Sequence, residues 1–350
     1  TYWLRKDIVV TFIVIPKKTF IMNKLIFNDV GLWPHTLDLC ELSRSFIDKS
    51  HNVFFLSSND SFLGNPPNPL NSRFARLVTY LRNKLIHKEL EKYGINCFFT
   101  ESQSNSKKEA FNKYISKHLL DSIYGCYCEI LNDGLANRNS KHYLRFRKRA
   151  LKSIQDSFNY LENFISKYNI EEIVVWNGRR PGQVLLVNMA KIKLIKYSCI
   201  IHSQINGKYS YKESWNNVND IKSFSNVIKD KLINYQKKGF SENSIKKSDL
   251  YFKRAQGIIQ RPSSFYWGGF YTYSEKYFKS ETLEKKIIHL KSLNKKIVSI
   301  FPGTFMEYIS LPDYANDPIF KTHYDHINFL LSLNFFKSHH FILRFHPNQK

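Results

Sequence analysis

The sequence predicts an α/β fold built on doubly wound, parallel sheets, and three observations lead there. Three stretches of the chain run strand, loop, helix, strand, at residues 25–56, 172–201 and 295–345. Such units generate parallel pairing through crossover helices. Their strands are short, continuous apolar runs, as expected of strands covered on both faces. The composition, with 43% hydrophobic and 15% aromatic residues in 350, can bury a core and excludes a disordered or low-complexity chain. At about 150 residues per domain, that length points to two domains.

Element by element, residues 25–27 read as a strand, and 29–36, containing Gly31, Pro34 and His35, as a loop. Apolar residues at 37, 39, 42, 46 and 47 have helical spacing, and 53–56 is a buried strand. Residues 59–71 are rich in Pro, Asn and Ser and read as a loop. A helix over 73–92 and a strand over 97–99 follow. Residues 101–140 are polar and read as helical with a loop around 132–139. Leu144, Leu151, Ile154, Phe158, Leu161 and Ile165 then predict a long amphipathic helix over 141–168. Next come a strand (172–176), a loop (177–182), a helix (183–191) and a strand (197–201). Residues 212–257 are polar and partly helical, and 260–273 are aromatic and Gly-rich, near a linker. The last unit comprises a strand at 295–301, a Gly303-Thr304 turn, a helix at 323–335 and a strand at 340–345. A first domain is expected over 22–280 and the start of a second over 290–350. Residues 1–21, ahead of Met22 and the first strand, read as a leader or non-native extension. The end at Lys350 falls where a further helix is expected, so the second domain reads as incomplete and the chain as inactive in this form.

The charge is +24, from 53 Lys+Arg against 29 Asp+Glu. It is compatible with nucleic acid, an anionic membrane face or an anionic substrate. A composition rich in Lys, Asn, Ile, Phe and Tyr, as in translations of AT-rich genomes, accounts for it equally. Locally only His142, Arg145, Arg147, Lys148, Arg149 and Lys152 on the long helix, and the pair Arg179-Arg180, stand out. No nucleic-acid-binding pattern is recognisable, and no nucleic-acid partner is expected. The five cysteines lack metal or disulfide spacing, which points to a reducing compartment. The apolar run at 8–15 is far shorter than the ~20 residues of a membrane span. A cytoplasmic location is expected, with peripheral contact at the inner membrane. No metal is expected: His339 and His340 are adjacent on a strand and point to opposite faces, and no H-E-x-x-H motif occurs.

Candidate functional residues gather at strand ends. Arg344 and His346 leave the last strand on one side, with Pro347 and Asn348 closing it, an arrangement suited to a phosphate or diphosphate. The loop Asn177-Gly178-Arg179-Arg180 lies between a strand and a helix N-terminus, a natural anion site. Gly303 and Thr304, with Glu307 beyond, follow the first strand of the third unit and can approach phosphates. Asp29 or His35, after the first strand, could serve as a general base. Ordinary turns and helix capping account for each of these residues taken singly.

As an ordered set, these motifs resemble the bacterial capsule polysaccharide biosynthesis family, HP-motif glycosyltransferases of the GT-B type. The resemblance rests on Asn177-Gly178-Arg179, then Tyr251-Phe252-Lys253-Arg254, then the strand 297–301, then Arg344-Phe345-His346-Pro347-Asn348. It implies two Rossmann-like domains facing a cleft, and sugar transfer from a nucleotide-activated donor to a capsular or lipopolysaccharide-type glycan. It implies no metal and no cofactor beyond that donor. Arg344 and His346 would then serve the leaving group, and Gly303, Thr304, Glu307, Pro347 and Asn348 the donor. Asn177, Gly178, Arg179 and Arg180 would hold an anionic or lipid-linked acceptor. This sequence departs from the family at His202-Ser203-Gln204, where the acidic residue of a His-Glu-Arg-Gly-like stretch is missing, and before Glu307. The general base is therefore left open. The alternative is a basic nucleic-acid-binding or peripheral membrane protein without catalysis.

Overall fold

A computed structural model describes residues 21–29, 33–58, 73–101, 108–131, 136–202, 209–215, 221–239, 241–255, 285, 288–290, 292–293, 296–300, 323–333 and 339–343. The chain is α/β, with an open, mostly parallel six-stranded sheet compatible with a Rossmann-like fold.

The first half of that sheet is β1 (Asn23–Asn28), α1 (Trp33–Ile47), β2 (Asn52–Ser57), α2 (Arg73–Glu91) and β3 (Asn96–Phe99). Three helices follow: α3 (Lys108–Asn112), α4 (Lys117–Leu131) and α5 (Lys141–Lys167). The second half is β4 (Glu172–Trp176), α6 (Pro181–Ile192), β5 (Lys196–His202) and β6 (Tyr209–Glu213). The strand order is β3-β2-β1-β4-β5-β6, parallel except for β6, which runs antiparallel along β5. Helices α7 (Ile221–Lys238) and α8 (Glu242–Ala255) come next. Then β7 (Lys296–Ile300), α9 (His323–Ser332) and β8 (His339–Leu343) form a separate two-stranded parallel sheet.

Alternation along the strands divides the core between two faces. Leu25, Phe27, Ile173 and Val175 join residues of α3, α4, α5 and α6 on one face. Ile26, Val174 and Trp176 join Leu39, Leu42 and Phe46 of α1 and Ile86 and Leu90 of α2 on the other. Consecutive helices therefore change face between β1 and β4. At that change lie the C-terminal strand ends of β1 and β4, the usual ligand position of open α/β sheets.

The helix-to-strand connections share one device. Ser50, Gly94, Asn169 and Leu194 each have a positive φ, between 45° and 76°. The amide of the next residue donates back into the preceding helix, as from Ile170 to Ile165 O (3.0 Å) and from Ile195 to Ala190 O (2.8 Å). At the same end of the sheet, Lys24 and Glu172 form a buried ion pair. Glu172 also accepts from Ser198 Oγ (2.8 Å) and from the Tyr211 hydroxyl, and Lys24 lies 4.4 Å over the Phe46 ring.

Three sequence expectations are corrected. His35 lies in the first turn of α1, not in a loop, because that turn tolerates Pro34, whose missing N–H has no helical partner there anyway. Strand β6 went unrecognised, since Tyr-Ser-Tyr-Lys-Glu lacks the apolar run of a central strand and sits at the sheet edge. Leu144 is 48% exposed, and the buried face of α5 passes instead through Tyr143 and Ala150. The leader expected over 1–21 lies, apart from residue 21, outside the described residues.

Candidate active site at the switch of the sheet

Three segments meet at this switch of the sheet: the end of β1, the turn after β4, and the first turn of α1. Asp29 follows β1 directly and is 4% exposed. Its Oδ1 accepts from Gln183 Nε2 at 2.6 Å, while Oδ2 is buried and has no hydrogen-bond partner. Burial pushes the Asp29 carboxyl up to about 7, against the opposing pull of the Gln183 bond and the Arg180 charge. A carboxyl poised there can take or give a proton at neutral pH.

The turn after β4 is built from two consecutive left-handed residues, Asn177 (φ 60°) and Gly178 (φ 75°). Pro181 then opens α6. The turn amides are consumed internally. Asn177 N donates to Ile200 O (2.8 Å), and Gly178 N to Trp176 O (2.6 Å). Arg179 N and Arg180 N both donate to Gln183 Oε1, at 3.1 and 3.3 Å. These four amides are thus unavailable to an incoming anion, whose attraction would fall to the two guanidinium groups. With its amide turned so that the oxygen faces Arg179, the Asn177 side chain would accept from Nε and Nη2 at 3.0 and 3.2 Å. Arg180 pairs with Glu129 of α4 at 3.1 Å and keeps 31% of its side-chain surface exposed. Ser122 of α4 donates to Arg179 O, tying that helix to the turn.

His35 stacks on Trp176 with ring centroids 4.3 Å apart, and both are buried. A polar chain runs behind them along the ends of β1 and β2. Thr36 Oγ1 donates to Asn28 Oδ1 (3.3 Å), and Asn28 Nδ2 donates to Ser57 Oγ (3.3 Å). Ser57 Oγ in turn lies 2.9 Å from His87 Nε2. Burial lowers His87 to about 4, so it is a neutral structural partner rather than a proton carrier at pH 7. Cys126, 4.0 Å from Arg180 Nη1, is pushed up by burial to about 12 and is not a poised nucleophile.

Of the residues singled out in the sequence, Asp29, His35, Asn177, Gly178, Arg179 and Arg180 all lie about this switch of the sheet, although Asp29 and Arg180 are far apart in the chain. Gly303, Thr304, Glu307, Arg344, His346, Pro347 and Asn348 lie outside the described residues. Tyr251, Phe252, Lys253 and Arg254 fall within α8. Gln183 was missed. Its sequence signal was present, since Gln three residues after a helix N-cap is the reciprocal half of a capping box. Among the described residues no group of three or more His, Cys, Asp or Glu could hold a metal ion. No helix among them is long and apolar enough to cross a membrane. No protein-family model and no curated protein matches this chain.

Proposed function

We propose that this chain belongs to a metal-independent glycosyltransferase of GT-B type, whose six-stranded unit holds the acceptor. The observation that carries the reading is Asp29, a carboxyl poised near neutrality with one oxygen held and the other without a partner, beside two arginines at the sheet switch. In this reading the partner-free oxygen takes the proton of the attacking acceptor hydroxyl, and Arg179 and Arg180 attract an anionic acceptor. The donor side rests on the resemblance of Arg344-Phe345-His346-Pro347-Asn348, with Gly303, Thr304 and Glu307, to nucleotide-sugar sites. A capsular or lipid-linked glycan is the proposed acceptor. The exposed Arg145, Lys148, Arg149 and Lys152 of α5 would face an anionic membrane surface, consistent with a cytoplasmic, peripheral enzyme.

Calorimetric titration with CMP-, UDP- and CDP-linked sugars, followed by transfer assays, tests the reading. One donor class should bind, and Asp29→Asn should lower kcat by about 100-fold or more without weakening donor binding. Absence of binding to all three donor classes, or full activity in Asp29→Asn, overturns it.

A further inference from the structure

We infer that Gln183 is a positioning residue that reserves Oδ2 of Asp29 as the proton-exchanging oxygen of that carboxyl. This rests on the reading of Asp29 as the base and adds what makes it one. Gln183 is fully buried at the third position of α6. Its amide orientation is settled by its neighbours. The main-chain N–H groups of Arg179 and Arg180 can only donate, so the atom facing them at 3.1 and 3.3 Å is the oxygen. The NH₂ group must then face Asp29, where Nε2 lies 2.6 Å from Oδ1. In a neutral carboxyl the carbonyl oxygen is the better acceptor, so a donor held at that distance on Oδ1 favours the proton on the other oxygen. When Asp29 is neutral, its proton is therefore on Oδ2, the oxygen without a protein partner. When Asp29 is ionised, Oδ2 is the oxygen whose lone pairs no side-chain donor engages.

The same side chain links the carboxyl to the turn. One amide group spans the end of β1 and both arginine main chains, so displacement of the 177–180 turn would carry the donor away from Asp29. The charged groups about the carboxyl are Arg180 from the turn, which acts on it directly, and Glu129 of α4, which pairs with Arg180. Arg179 of the turn and Asp38 of α1 lie on neighbouring segments, with His35 stacked on Trp176 beside them. None of these groups is altered in the variants below.

The test is a carbon-13 NMR titration of the full chain with labelled aspartate, the Asp29 carboxyl being assigned by its loss in Asp29→Asn. Gln183→Leu removes a donor that favours the ionised form, so the Asp29 midpoint should rise by about one to two pH units. Gln183→Glu retains a side-chain oxygen for the two main-chain amides. It also sets a second carboxyl against Asp29, so the pair should titrate in two separated steps. If Gln183→Leu does not fold, the two-step titration in Gln183→Glu decides. A Gln183 that merely caps α6 would lower the melting temperature and leave the Asp29 midpoint unmoved, and that result overturns the inference. A midpoint that moves in a protein that binds no nucleotide sugar would sustain the role of Gln183 and remove the transferase reading.

Discussion

Replacing Lys24 by Met tests the account of the ion pair at the strand entries. Met keeps the apolar stem over Phe46 and deletes only the charge that faces Glu172. Glu172 is 4% exposed, and Ser198 and Tyr211 remain as its donors. A buried charge stripped of its partner costs roughly 3–5 kcal/mol. The two remaining hydroxyl donors place Lys24→Met at the low end, about 3 kcal/mol. Glu172→Gln alone strands Lys24 instead and should cost a similar amount. The double variant removes both charges, keeps an acceptor for the hydroxyls, and should be less destabilised than either single variant. Burial by itself would raise the Glu172 carboxyl, but the Lys24 and Tyr211 bonds outweigh it and hold the group below its ordinary 4.5. A depressed carboxyl contributes stability above its unfolded value and loses it as pH falls through the folded one. The gap between wild type and Lys24→Met should therefore be full at pH 7 and close below about 4.5. Urea unfolding followed by tryptophan fluorescence reads all three variants. A double variant as unstable as the sum of the singles, or a gap independent of pH, would refute the reasoning.

Two further outcomes follow from described geometry. Asp29 is held above its ordinary 3.8, so folding favours its neutral form and stability falls as pH rises from there toward about 7. Asp29→Asn should therefore be indistinguishable from wild type at pH 4 and more stable by about 4 kcal/mol at pH 8, measured by thermal unfolding; equal stability at pH 8 would show that the carboxyl is not desolvated. Leu194 adopts φ 57° with 93% of its surface exposed. Leu194→Gly should relieve the left-handed strain and raise stability by about 1 kcal/mol, visible as a higher urea midpoint.

The frame was legible where physics writes a strong local signal. β1, β2 and β4 carry continuous apolar runs, because both of their faces are covered, and each reads as a strand without reference to the rest of the chain. The start of α1 was less legible, since Pro34 reads equally as a loop residue and as a first-turn residue. Leu144 misled for a related reason. Its spacing fits the apolar face of α5, but a long helix drifts around its axis and Tyr143 takes the inward position. Contacts between distant segments left no local trace. Nothing near Lys24 announces Glu172, nor anything near Asp29 its donor Gln183, because sheet order brings them together. Asp29, His35 and the 177–180 turn were each legible as residues near strand ends, and the pairing of β1 with β4 is what brings them together.

The left-handed turns have a consequence for how this chain can change. They close every helix-to-strand connection of the sheet within three or four residues. At the C-terminal ends of the parallel strands the connections run from four residues, after β1 and β4, to fifteen between β2 and α2. Among the connections of the parallel strands, variation in length is thus confined to one rim; at the opposite rim the exit from antiparallel β6, seven residues before α7, is the longer exception. A related chain could exchange the segments between β2 and α2, or between β3 and α3, and so recognise a different partner while every strand keeps its register. Chimaeras cut at those segments, rather than at the tight turns, are the natural way to move specificity from one such protein to another.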